Sequence, residues 1–305
     1  MPTPLDQPTN LFRTATSLVQ EELGRLERVK AAILAGARVA GVPTGFKALD
    51  DAFGGLNAGK LYFLGGAPGG GKTSLALNIA LNAARAGYPV VYVTCDEGAR
   101  RLALKLACIE NEVRMSDLNR GGDATKLQTY ISTNPQMLRN ISIIENGHLG
   151  MGELGVEVSN RIKAAELPQG FIRQGLLVVD YLQAMASAQS EGGKEMRFAI
   201  EQLCTALRQC AIENDAACLC ISALSRGSDG KHYDNPDLSS FRETSAIEYS
   251  ADGVMAMIED KSPPLGVSNP YLARKLRILK NRDGENNLEI RMLFNGATGK
   301  LTESN

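Results

Sequence analysis

The stretch Gly66-Ala67-Pro68-Gly69-Gly70-Gly71-Lys72-Thr73-Ser74 decides the fold. The run Leu61-Tyr62-Phe63-Leu64 before it is apolar and reads as a strand. Ser74 opens a helical pattern that continues to Ala86, where Gly87 and Pro89 stop it. A strand, a glycine loop and a helix in that order let backbone N–H groups wrap a polyphosphate at the positive end of the helix. The glycines permit close approach and unusual φ/ψ. In such a loop Lys72 reaches the β- and γ-phosphates and Thr73 sets its hydroxyl on Mg²⁺. Gly66, Ala67, Pro68, Gly69, Gly70, Gly71, Lys72, Thr73 and Ser74 are therefore expected to bind ATP. A chance glycine turn would not be flanked by this strand and this helix.

Outward from the loop, apolar β-like runs alternate with helical patterns. Strands are expected at 61–65, 90–94, 141–144, 176–180, 217–222, 253–258, 274–279 and 288–294, and helices at 74–86, 99–111, 150–165, 195–214 and 241–250. That alternation predicts an α/β fold, a mostly parallel sheet with helices on both faces. The last two predicted strands are joined by 281–287, a hairpin signal. Polar or Gly/Pro-rich loops are expected at 114–126, 187–194, 225–240 and 261–272, where function tends to sit. Residues 1–9 carry three prolines and read as a flexible tail. From about 11 to 35 the pattern is helical, with Val19, Leu23, Leu26 and Ile33 on one stripe. That stripe must be covered, by default on its own domain and otherwise on a neighbouring subunit. The expected division is 1–40 as tail and linker helix, then 41–305 as one ATPase domain.

Composition sets bounds. The chain has 305 residues, 44% hydrophobic and 22% charged, which suits a globular α/β domain with a small appendage. The formal net charge of −1 assigns any nucleic-acid contact to local basic loops rather than to the whole surface. No stretch approaches the roughly 18 apolar residues of a membrane span. The N-terminus has no basic segment followed by an apolar core, so a cytoplasmic protein is expected. The six cysteines form no C-x-x-C pair, and only His148 and His232 are available to join them on a metal. Reduced thiols are expected.

Two more strand ends carry carboxylates. Leu176-Leu177-Val178-Val179-Asp180 runs beside the loop strand in a P-loop fold, which puts Asp180 near Mg²⁺ and its water shell. Val90–Thr94 leads to Cys95, Asp96 and Glu97, and a carboxylate there can orient and deprotonate the attacking water. The competing role for Asp96 is a solvated helix cap. Lys280-Asn281-Arg282 ends a strand at the hairpin. Two cations on such a turn do not easily reach their own nucleotide, but they can reach one bound to the next subunit. A solvated basic turn is the alternative.

These stretches, with Pro43–Asp50, Asp180-Tyr181-Leu182-Gln183, Ile221–Arg226 and Phe241–Asp252, occur in the order seen in the DnaB-like replicative helicases. Over roughly residues 15–300 the chain resembles the RecA-like motor domain of that family with its preceding linker helix. The resemblance implies a ring hexamer with ATP at each subunit boundary and single-stranded DNA in the pore. The 11–35 helix would dock on a neighbouring motor, and Lys280 and Arg282 would act on the neighbour's nucleotide. The 187–198 and 225–245 segments would line the pore, with Arg242, Glu243, Thr244 and Ser245 tracking DNA phosphates. Such contacts are sequence-independent and salt-sensitive.

The family's helical N-terminal domain has no counterpart in the sequence, and a separate primase or loader protein is the implied partner. Ala223 stands where the family usually has glutamine, Ser245 where it has glycine, and Asp96 where it has its catalytic glutamate. These departures keep a second expectation open: a RecA-like switch or assembly ATPase, of clock or recombinase-mediator type, that oligomerises with ATP without unwinding. A decayed structural copy is disfavoured by the intact Lys72, Thr73, Asp180 and Arg282.

Overall fold

Runs of valine, leucine and isoleucine without alternation are buried on both faces, and they form the middle of one sheet. The computed structural model describes residues 14–145, 150–189, 196–225, 233–241, 244–261 and 271–304. The strands are β1 (Leu61–Gly66), β2 (Val90–Thr94), β3 (Ile141–Glu145), β4 (Gly175–Asp180), β5 (Ala216–Ile221), β6 (Gly253–Glu259), β7 (Tyr271–Asn281), β8 (Glu289–Asn295) and β9 (Leu301–Glu303). Their order is β3-β2-β4-β5-β1-β6-β7-β8-β9. The pairings from β3 across to β6 are parallel, and those from β6 to β9 are antiparallel. The expected mostly parallel α/β sheet is therefore what forms, although β5 lies between β4 and the loop strand β1, so the Asp180 strand is not the direct neighbour expected from the sequence.

Helices cover both faces. On one lie α3 (Lys72–Arg85) and α4 (Ala99–Asn111), after α1 (Ala15–Leu34) and α2 (Lys47–Phe53) in the chain. Leu75, Ile79, Leu102 and Leu106 pack there against Tyr92, Val178 and Leu219. Three short helices follow, α5 (Met115–Leu118), α6 (Thr125–Thr133) and α7 (Pro135–Arg139). The other face carries α8 (Met151–Ala164), α9 (Leu182–Gln189), α10 (Met196–Glu213) and α11 (Thr244–Ser250). Leu154, Val158, Ile200, Leu203 and Leu207 pack there against Val91, Leu177 and Cys218.

Pro43–Asp50 has a structural task. Asp50 is fully buried, accepting from the Thr44 N–H and hydroxyl, both at 2.7 Å, and from the Gly45 N–H at 3.2 Å. Gly45 takes φ 79°, and a Cβ there would lie 2.6 Å from Asn82 Cβ, so only glycine fits between this turn and α3.

The structure departs from the sequence-based expectation in several places. Helices α2, α5, α6, α7 and α9 and strand β9 are additional, and Phe241 is bridged to Leu224 rather than helical. Among the described residues, nothing of the chain's own domain covers the stripe on α1. Ala32 is the buried residue of α1, whereas Val19 is 58% exposed, Leu23 55% and Leu26 48%. All six cysteines are free thiols, and five are buried. No described helix is long and apolar enough to cross a membrane.

Candidate nucleotide-binding site

The C-terminal ends of β1, β2 and β4 bring together the residues singled out in the sequence. Between β1 and α3 the chain turns through Gly66 at φ 156°, Gly69 at φ 71° and Gly71 at φ 98°. A Cβ on Gly66 would lie 2.8 Å from the Met257 carbonyl oxygen, so the neighbouring strand leaves no room for a side chain. The Lys72 ammonium donates to the carbonyls of Gly66 and Ala67, both at 2.9 Å, which folds it back over the loop. Burial pulls its pKa down, partly offset by the Asp180 carboxylate. A polyphosphate at this loop would restore the ammonium's preference for charge.

Asp180 ends β4 and is 7% exposed. It accepts from the Tyr92 hydroxyl at 2.8 Å, and the Thr73 hydroxyl lies close by. Burial raises its pKa; the two hydroxyls oppose the shift, while Asp96 and Glu97 add to it. A buried carboxylate beside a hydroxyl at the start of α3 is a hard-oxygen donor pair, which fits Mg²⁺ with its remaining positions filled by water and phosphate. A divalent cation there would also reverse the penalty on the ionised form. Among the described residues no group of three His, Cys, Asp or Glu is arranged to hold a metal.

Asp96 and Glu97 follow β2, and their surroundings separate them. The Glu97 carboxylate is 27% exposed and pairs with Arg101 at 2.9 Å and with Lys105, both on α4. Asp96 is exposed and forms no ion pair among the described residues. Cys95, whose N–H donates to the Asp180 carbonyl at 2.8 Å, has its thiol pushed up to about 11 by burial and the neighbouring carboxylates.

Lys280 and Arg282 lie at the other end of the sheet. Arg282 Nη1 pairs with Asp252 Oδ1 at 3.1 Å, and its N–H donates to the Asp252 carbonyl at 2.9 Å. Asp252 also accepts from the Leu61 N–H at 2.9 Å, at the start of β1, and from Arg208 at 2.7 Å. Lys280 donates to the Glu248 carbonyl at 2.5 Å, and burial with the adjacent Arg282 lowers its pKa. The six residues of β1 put this anchor roughly 17 Å from Gly66. The two cations therefore cannot meet their own Lys72.

Among the residues expected at DNA, Ser245 lies in the first turn of α11 and accepts from Arg197 of α10 at 3.0 Å. Arg242, Glu243 and the Thr244 side chain lie outside the described residues, as do 190–195 and 226–231, His148 and His232. Sequence reasoning missed one contact beside the site. Gln183 donates through Nε2 to Ser222 Oγ at 2.9 Å and accepts from the Ala223 N–H at 3.1 Å.

The chain is 25% identical over 286 residues to the replicative DNA helicase DnaB of Leifsonia xyli, covering 91% of this chain and 59% of that protein. It is 27% identical over 249 residues to the replicative DNA helicase DnaC of Bacillus subtilis, covering 81% and 53%. The chain thus spans little more than half the length of these relatives. Among solved structures it resembles one described as an ATPase domain, with a TM-score of 0.78 at 19% identity, covering 96% of this chain and all of that one. A KaiC-like protein from Pyrococcus horikoshii is more distant, with a TM-score of 0.57 at 19% identity, covering 88% of this chain and 100% of that one. Residues 41–303 match the family described as DnaB-like helicase C terminal domain, and the chain belongs to that family.

Proposed function

We propose that this chain is the ATP-hydrolysing motor of a ring-shaped helicase that moves along single-stranded DNA. Gly66 to Ser74 would wrap the triphosphate, with Lys72 on the β- and γ-phosphates. Thr73 and Asp180 would hold Mg²⁺, which when bound neutralises charge on the phosphates. Asp96 would orient the attacking water and take its proton, with Glu97 kept in place by Arg101 and Lys105.

The single observation that carries the assembled form of this reading is the separation of Lys72 from Lys280 and Arg282 along β1. It supports a site completed by a second copy, which supplies the two cations to the nucleotide of the first. The exposed stripe on α1 is a second surface suited to a neighbouring copy. A ring of six, DNA in its pore near Arg242, Glu243, Thr244 and Ser245, and a primase or loader partner belong to the same reading. One structural neighbour is described as a DnaB-like replicative helicase with its interactions with primase, at a TM-score of 0.74 and 20% identity, covering 95% of this chain and 67% of that one.

The test is strand displacement on forked DNA with ATP and Mg²⁺, comparing wild type with Lys72→Ala. Unwinding by wild type alone supports the reading. Nucleotide-dependent assembly without DNA-stimulated hydrolysis would turn it toward the switch ATPase.

A further inference from the structure

The two hydrogen bonds of Gln183 join parts of the chain that the sheet otherwise keeps apart. Gln183 lies in the first turn of α9, three positions beyond Asp180. Its carboxamide grips Ser222 Oγ and the Ala223 N–H, just beyond the end of β5. Ser222 is fully buried, and its own N–H donates to the Leu64 carbonyl of β1 at 3.0 Å. Immediately after it the chain forms a two-stranded neck. Leu224 bridges Phe241, and the Ser225 N–H donates to the Ser240 carbonyl at 2.7 Å.

That neck also presses on the strand before the glycine loop. A Cβ on Gly65 would lie 2.5 Å from Phe241 Cζ and 2.7 Å from Leu224 Cδ2. The neck therefore touches nucleotide-side elements at two points, Gly65 ahead of the phosphate loop and Gln183 behind the metal-binding carboxylate. Ala223 carries no side chain able to make such a contact itself. Its N–H is engaged by Gln183 instead.

We infer that Gln183 is a positioning residue that couples the neck at 222–225 and 240–241 to the end of β4, so that movement of the neck alters the placement of Asp180. The inference rests on the proposed reading, in which the 225–245 segment meets single-stranded DNA. Both hydrogen bonds of Gln183 are to groups just beyond β5, and the Ser222 end is fully buried, so loss of Gln183 leaves that hydroxyl without its partner where water does not reach. Contacts of this kind carry coupling when both ends respond to them together, and a double-mutant cycle measures that.

The experiment compares wild type, Gln183→Met, Ser222→Ala and the double variant. Methionine keeps the length of the side chain and removes both hydrogen bonds. Each protein is assayed for steady-state hydrolysis with and without poly-dT, and for equilibrium binding of a fluorescent ATP analogue. The expected result is a stimulation ratio that falls about fivefold or more in Gln183→Met, in the ordinary range of site-to-site coupling. Analogue affinity should stay at the wild-type value, and Ser222→Ala should add less to Gln183→Met than it does alone. A Gln183→Met ratio equal to that of a stimulated wild type overturns the inference alone. So does a parallel loss of analogue affinity, which would make Gln183 merely structural. A wild type that poly-dT does not stimulate overturns the helicase reading and this inference with it.

Discussion

Arg282 and Asp252 are joined by a 3.1 Å ion pair at the start of β1, at the end of the sheet away from Lys72. The partner of Arg282 is thus a carboxylate that two other donors, Leu61 N–H and Arg208, also hold. Removing the guanidinium leaves Asp252 satisfied, so Arg282→Ala should fold normally. Under the trans reading it lowers turnover by about 10³-fold and spares nucleotide binding. Mixing it with Lys72→Ala should restore part of the activity, because some boundaries then pair an intact loop with an intact arginine. Full activity of Arg282→Ala in a steady-state assay would remove its assigned role.

The unequal surroundings of Asp96 and Glu97 predict unequal variants. Asp96→Asn should lower kcat by about 10²-fold or more, as expected when a general base is lost. Glu97→Gln should cost less than about tenfold, since what it breaks is a pair of partly exposed ion pairs. The two kcat values, measured at saturating ATP, decide which carboxylate serves the water.

Asp180 gives a stability signature. Burial raises its pKa in the folded chain above the ordinary aspartate value of 3.8. Its contribution to stability is then fully present below that value and is lost as pH rises through the folded-state value. In the absence of nucleotide and Mg²⁺, Asp180→Asn should therefore melt at a higher temperature than wild type at neutral pH. The gap should close in acid, where wild-type Asp180 is protonated. Thermal melts across pH test this, and a variant that melts lower at neutral pH contradicts the burial argument.

The stripe on α1 predicts a separation of assembly from folding. Leu23→Glu with Leu26→Glu should change monomer stability by less than about 0.5 kcal/mol per site, because both side chains are already half exposed. Sedimentation velocity with Mg²⁺ and an ATP analogue should show smaller species than wild type. Unchanged assembly would mean that the stripe is covered by something other than a second copy.

The phosphate loop, the carboxylates after β2 and β4, and the basic turn were legible because each is a contiguous string whose chemistry depends on near neighbours. What was not legible depends on residues far apart in the chain. The Gln183–Ser222 contact spans 39 positions and the Arg282–Asp252 pair spans 30, and no periodicity links such residues. Glu97, just before α4, and Arg101 and Lys105 within it do repeat at intervals of four, so the tethering of Glu97 had a signal in the sequence. The helices α5, α6 and α7 escaped because helices of four, nine and five residues show too few turns for an apolar period to stand out. Strand β9, with three residues, is held by pairing to β8 rather than by its own propensity.

The placement of a loop at one end of β1 and an arginine at the other has a geometric consequence. A copy that offers its head to a neighbour's tail makes a heterologous contact, and such contacts repeat without limit unless the rotation between successive copies divides a full circle. Under the trans reading, the same subunit would build either a closed ring or an open helix. That choice lies in the angle between the two faces, which a small tilt of the Arg282 turn against β1 would change.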